Sequence, residues 1–257
     1  MFFENCADIL NKYGSSLALG LRTTLLVSLL GTAFGLIIGL IVGGFRAAKL
    51  DISAGPAAVF FKKLFDVIAN IYIAVFRGTP MMVQAVFIYY ALLNVVHWTG
   101  LQAAIVVISI NTGAYMSEII RSGIQAVDPG QIEAARSLGM SNSQTTFGVV
   151  LPQAIKNAFP AIGNELIVNI KDSSVLMIIS ITELMFQAKS IAGSTFHFTE
   201  TYFIEAMIYL ALTTIATIAL NIIEKEMRKP RNTKISLPMS DTDLKSIEFA
   251  ELKKGKN

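Results

Sequence analysis

Three short polar runs interrupt otherwise apolar stretches of this 257-residue chain, and their residue types suit one kind of ligand. Arg77-Gly78-Thr79-Pro80 divides one apolar run near its midpoint. Asn111, Tyr115 and Glu118 recur at i, i+4 and i+7 in the next, and Asn169, Lys171, Asp172, Ser173 and Ser174 divide a third. Polar groups inside apolar runs are costly unless used or paired, so three runs at similar depth mark a site. The i, i+4, i+7 spacing puts Asn111, Tyr115 and Glu118 on one helical face. Thr79 can cap and Pro80 can open a new half-helix, leaving free amides and the positive end of a dipole beside Arg77. That combination suits an anion, and a carboxylate fits it. Asp172 suits an ammonium group, with Asn111, Tyr115 and Ser173 as neutral hydrogen-bonding groups, so the set matches a zwitterion. Two plainer readings stand beside it: Arg77 and Asp172 can neutralise each other, and Glu118 can pair with Arg121 on its own helix. Asn164 and Glu165 fall close to the start of their run, where they help to seat the preceding loop.

The elements that carry these residues are membrane spans. The chain is 53% hydrophobic and 15% charged, with its apolar residues in long runs, which excludes an ordinary soluble domain. Five spans are expected, over about 17–45, 65–96, 101–123, 161–188 and 202–223, each long enough for a hydrocarbon core of about 30 Å. Residues 1–16 form a short segment before the first span, and 225–257 a charged tail containing Pro230 and Pro238. Arg46, Lys49, Lys62 and Lys63, then Arg121, Arg136 and Lys156, then Lys225, Arg228, Lys229 and Arg231 lie on one side. The positive-inside rule therefore places the N-terminus outside and the C-terminus in the cytoplasm. Gly31, Gly35, Gly39 and Gly43 align on one helical face, where they serve packing within the subunit or a dimer seam. The single cysteine, Cys6, excludes an internal disulfide and a cysteine zinc cage. The basic residues flank spans and form no patch with interleaved aromatics, so nucleic acid is not a partner. No metal site and no catalytic residue stands out.

The one long polar interval, 125–155, reads as two short helices. Asp128 is an N-cap with Pro129 at the first helical position and Gln131 placed to reach back, and Gly139 sits where a helix stops in a left-handed residue. Ser141 and Gln144 repeat the capping box, and Pro152 disturbs the second helix. A capped helix projecting between spans is a rigid knob that can enter a partner's groove.

Glu133-Ala134-Ala135, Gly139 and Leu151-Pro152 at this spacing resemble the EAA loop of the membrane subunits of bacterial binding-protein-dependent ABC importers. The family usually has Ile where Val149 stands. The phrases FRGTP, GAYMSEIIRSGI and NIKDSS resemble its polar amino acid branch, and the likeness runs from about residue 20 to 224. The resemblance implies an all-α, five-helix membrane domain of type I importer architecture, 17–224, in a bacterial cytoplasmic membrane. It implies solute contact by Arg77, Thr79, Asn111 and Asp172, and contact between Glu133, Ala134, Ala135, Gly139, Leu151 and Pro152 and a cytoplasmic ATP-binding subunit. A second membrane subunit, identical or related, and an extracellular or periplasmic amino acid-binding protein complete the implied assembly. The chain has no G-x-x-x-x-G-K-[ST] loop, so ATP and Mg belong to the partner ATPase and this chain is no enzyme. An ion-coupled secondary carrier is the competing reading, but it leaves the capped loop without purpose and no inverted repeat is visible.

Overall fold

The computed structural model describes residues 1–48 and 55–229. These residues are all-α, as expected, with no strand among them. The helices are α1 (Phe2–Ala47), α2 (Pro56–Gly78), α3 (Met81–Val96), α4 (Gly100–Gln125), α5 (Pro129–Ser137), α6 (Asn142–Thr145), α7 (Leu151–Asp172), α8 (Leu184–Thr195) and α9 (Phe198–Arg228). Lys49 and everything from Pro230 onward, including Arg231, Pro238 and most of the expected tail, lie outside the described residues.

The first helix starts well before the expected span. At 1.5 Å per residue its length is about 69 Å, more than twice a hydrocarbon core. Residues 2–16 are helical because they have their own apolar partners: Cys6, Ile9 and Leu17 are buried against Leu184, Ile191 and Ile204 of α8 and α9. Asn5 also donates to Glu200 Oε1 at 2.9 Å.

The glycine stripe faces α4 of the same chain. A Cβ at Gly31 would come within 2.3 Å of Ile108 Cγ2, at Gly35 within 2.8 Å of Thr112 Cβ, and at Gly39 within 2.3 Å of Met116 Cβ. At Gly43 it would lie 2.4 Å from the Ser117 carbonyl. Absent side chains are thus what lets the two backbones touch, and of the two roles open from sequence the stripe takes intrachain packing. Successive glycines meet successively later residues of α4, so α1 and α4 run parallel. The segment between them must therefore carry the chain back. Asn169 ties α7 to the same seam: Thr112 Oγ1 donates to its Oδ1 at 3.0 Å, its Nδ2 donates to Thr32 Oγ1 at 2.7 Å, and Ser28 Oγ donates to its carbonyl at 3.1 Å.

Among the described residues, α1, α4 and α9 are each long and apolar enough to cross a membrane unaided. Residues 142–179 with α8, bent by 57°, make a fourth candidate crossing when the pair is taken as one span. The expected second span is divided between α2 and α3, whose returning path the parallel α1 and α4 require. That division falls at Arg77-Gly78-Thr79-Pro80, the polar run expected to interrupt it. The fourth expected span is also interrupted, by a 3₁₀ segment over Ser173–Ile179 and a left-handed Ser180 at φ 63°.

Candidate solute site and docking loop

The break between α2 and α3 is built from backbone polarity. Thr79 ends α2 and Pro80 is the N-cap of α3, so Thr79 does not cap the second half-helix as its hydroxyl chemistry suggested. That hydroxyl donates instead to the Val75 carbonyl four residues back, at 2.7 Å. Gln84, which sequence reasoning passed over, holds the break closed. Its Nε2 donates to the carbonyls of Phe76 at 3.0 Å and Thr79 at 2.9 Å and to Thr79 Oγ1 at 2.8 Å. Asn111 Nδ2 in turn donates to Gln84 Oε1 at 2.8 Å and to the Phe76 carbonyl at 3.3 Å. A lone glutamine in an apolar run gives one sequence signal only: it is the residue four positions after the proline that must share its helix's first turn. The amides of Met81, Met82 and Val83 precede the first bond of α3, from Gln84 N–H to the Pro80 carbonyl at 3.2 Å.

Beside this break the Arg77 guanidinium lies over the Tyr115 ring, 5.3 Å from its centroid. Arg77 is exposed and Tyr115 half-buried. Asp172 ends α7, half-buried. Among the described residues Arg77 and Asp172 form no ion pair, so the mutual neutralisation considered from sequence does not occur. Glu165, one i, i+7 step before Asp172 on α7, interacts electrostatically with both Asp172 and Arg77. Glu165 thus faces the polar constellation and is not confined to seating the loop. Its place was missed because α7 begins at Leu151, about ten residues before the expected span, which puts Glu165 deep in the helix. Ser173 is fully buried, and its hydroxyl donates to the Ile170 carbonyl at 2.8 Å. Glu165 thus links Arg77, which lies on Tyr115, to Asp172, with none of the three charges in an ion pair among the described residues, while Thr79, Asn111 and Ser173 are held in internal hydrogen bonds.

Glu118 belongs to a different group. It pairs with Arg121 at 2.7 Å on its own helix and with Arg46 of α1, whose Nη2 also donates to Asn70 Oδ1 at 2.6 Å. Three helices are tied together there, one more partner than the Arg121 pairing read from sequence.

The loop has the expected caps with one exception. Asp128 is the N-cap of α5, but its side chain accepts from Gly130 N–H at 2.8 Å, and Gln131 does not complete a box. At the other end Gly139 has φ 80°, its N–H donates to the Arg136 carbonyl at 3.0 Å, and Met140 N–H donates to that of Ala135 at 3.2 Å. This is the Schellman ending that a glycine permits. Ser141 and Gln144 form the reciprocal box, at 3.2 and 2.8 Å. The second loop helix does not end before the span: α6 passes through a π-helical turn, Thr146–Val150, into α7. Pro152 brings no N–H to the first turn of α7, which fits a wide turn immediately before it.

Ala135 is 4% exposed, and Val127, Val150 and Ala154 form a buried cluster with Ile124 and Ile132 packed on it. Glu133, Ala134 and Gly139 face outward with Pro152, and Leu151 is half-buried. Two apolar side chains that sequence reasoning did not single out project from the same loop, Leu138 at 83% exposure and Phe147 at 67%.

Residues 35–229 match the family described as "Binding-protein-dependent transport system inner membrane component". The glutamine transport system permease protein GlnP of Escherichia coli (strain K12) is 36% identical over 212 residues, covering 81% of this chain and 91% of that one. The arginine transport system permease protein ArtQ of Bacillus subtilis is 39% identical over 163 residues, 63% of this chain and 74% of that one. A solved structure described as "Crystal structure of an amino acid ABC transporter with histidines" contains a chain 37% identical, with a TM-score of 0.74 over 84% of this chain and 96% of its own. A matched stretch that takes in the helix break, the parallel seam and the capped loop leaves one conclusion: the chain belongs to the binding-protein-dependent transport system inner membrane components, the membrane subunits of ABC importers.

Proposed function

We propose that this chain moves a polar amino acid across the cytoplasmic membrane by alternating access, driven by a separate ATPase. The observation that carries this reading is the unpaired charge set at the helix breaks. Arg77 stands 5.3 Å over Tyr115, Glu165 interacts electrostatically with both Arg77 and Asp172, and none of these charges is consumed by an ion pair among the described residues. Arg77 takes the α-carboxylate and Asp172 the α-ammonium, with Asn111 and Thr79 shaping the break and Ser173 supporting the end of α7. Relatives named for glutamine and arginine support an amino acid as solute.

The 125–155 loop couples this site to ATP. Helix α5, capped at both ends, enters a groove of a cytoplasmic ATP-binding subunit that carries ATP and Mg. Its Glu133, Ala134 and Gly139 face the partner, and Ala135, Leu151 and Pro152 set how the helix is mounted on α7. Closure of the ATPase moves α5 as a rigid lever and rocks the spans between inward-facing and outward-facing arrangements. The N-terminus lies outside and the C-terminus inside, a second membrane subunit completes the pathway, and a binding protein delivers the solute.

The test is uptake of a labelled amino acid panel into proteoliposomes holding this chain, its neighbouring ATPase and its binding protein. ATP-dependent uptake of a polar amino acid, lost in Arg77→Ala, supports the reading. Uptake driven by an ion gradient without ATP overturns it in favour of a secondary carrier.

A further inference from the structure

Among the described residues, the most deeply buried acids lie outside the solute site. Glu183 is 0% exposed and Glu205 5%. Glu183 is the N-cap of α8: its Oε1 accepts from Phe186 N–H at 2.7 Å, and its Oε2 from Met185 N–H at 2.8 Å and from the Tyr209 hydroxyl at 3.3 Å. Three donors and the positive end of a helix suit an ionised carboxylate there. Glu205 has no such support. It stands one turn before Tyr209 on α9, it interacts electrostatically with Glu183, and its Oε1 is shielded from solvent with no hydrogen-bond partner. Among the described residues no lysine, arginine or histidine forms an ion pair with either acid. The hydroxyls of Thr24 and Ser173 lie near Tyr209, which packs against a cluster of Cys6, Ile9, Leu17, Leu184, Ile191 and Ile204 that Tyr13 also touches.

A second uncompensated carboxylate in such a place costs several kcal/mol and repels the cap of α8. A single proton removes both costs and converts Glu205 from an acceptor without a partner into a donor. We propose that Glu183 and Glu205 form a proton-binding site, with one resident proton carried on Glu205 as a neutral carboxylic acid while Glu183 stays ionised as the cap of α8. No co-reactant is needed: a carboxylate takes up a proton from water and holds it. The site sits where the chain re-enters a regular helix after the 57° bend. Leu184 N–H donates to Thr24 Oγ1 of α1 at 3.2 Å at the same point, so the proton secures the outer limb of the bend against α1. This inference is independent of which solute is carried.

Infrared difference spectroscopy and thermal unfolding of the full-length chain in nanodiscs at neutral pH test it, using wild type and Glu205→Gln in sodium and in choline buffers. Gln matches a protonated carboxyl in shape, neutrality and donor capacity. The expected result is a carboxylic-acid carbonyl band in wild type that is lost in Glu205→Gln, with the unfolding midpoint of the variant unchanged and sodium without effect. Absence of that band in wild type overturns the proposal. So does a sodium-dependent rise in the wild-type midpoint that Glu205→Gln abolishes, since the two acids would then be ionised around a metal cation.

Discussion

Gln84 and Thr79 are joined across the break between α2 and α3 by two hydrogen bonds, Nε2 to the Thr79 carbonyl at 2.9 Å and to its hydroxyl at 2.8 Å. Gln84 is buried, so its removal takes the donor from the Thr79 carbonyl and leaves the Phe76 carbonyl only the longer bond from Asn111. Gln84→Leu should cost about 1–3 kcal/mol per polar group left unsatisfied. The check is thermal unfolding of the purified chain, with a clear fall in midpoint expected. Gln84→Glu should be worse than Leu, because a carboxylate brings acceptors to a place that needs donors.

Tyr115 supports Arg77 through its ring face. Tyr115→Phe keeps that face and should leave the half-saturating solute concentration near wild type. Tyr115→Leu removes a cation–π contact worth about 0.5–2 kcal/mol and should weaken solute binding roughly 2- to 30-fold. Equal effects of the two variants would show that the hydroxyl, not the ring, does the work.

The α1–α4 seam gives an internal control among its glycines. A Cβ at Gly39 meets Met116 Cβ at 2.3 Å, whereas one at Gly44 meets nothing within 4 Å. Gly39→Ala should destabilise by about 1–3 kcal/mol through overpacking. Gly44→Ala should be neutral or stabilising, since alanine is the better helix former. Comparing the two melting midpoints checks the seam without reference to function.

The sequence carried the glycine stripe openly, because its four-residue spacing is complete within one helix, but it left open whether that face met α4 or a second subunit. It carried the loop's caps for the same reason: Gly139 and the Ser141–Gln144 box are local devices whose geometry is complete within a few residues. What it hid depends on contacts distant in the chain. Residues 2–16 are too mixed in polarity to declare a span, and only Leu184, Ile191 and Ile204 make them a continuation of α1. The start of α7 was displaced because Pro152 reads as a disturbance of the second loop helix, while a π turn just before it absorbs that disturbance. That displacement kept Glu165 out of the expected site. Gln84 was hidden because its partners include the backbone carbonyls of Phe76 and Thr79, which no sequence displays.

The loop's left-handed glycine separates folding from coupling. A residue with a side chain at φ 80° is strained by about 1–2 kcal/mol, although open space surrounds Gly139. Gly139→Ala should therefore lower stability by that amount and misdirect Leu138 and Met140 at the end of α5. Under the lever reading, ATP hydrolysis then continues while uptake falls, measured together in proteoliposomes. Unimpaired coupled uptake would show that the angle of this helix end is unimportant.

Leu138 offers the sharpest separation of the docking surface from the fold. At 83% exposure it contributes almost nothing to the interior, so Leu138→Asp should change the stability of the isolated chain by no more than about 0.5 kcal/mol. Burying a leucine in a partner's groove is worth about 1.5–3 kcal/mol, so the same substitution should weaken ATPase association roughly 10- to 100-fold. Phe147→Asp tests whether the π-turn side of the loop shares that contact. The measurement is co-purification of the ATPase with each variant beside the melting midpoint of the chain alone. Loss of association at an unchanged midpoint places the groove over Leu138. Retained association in both variants would mean that the partner meets α5 through Glu133 and Ala134 and leaves the two large side chains to solvent.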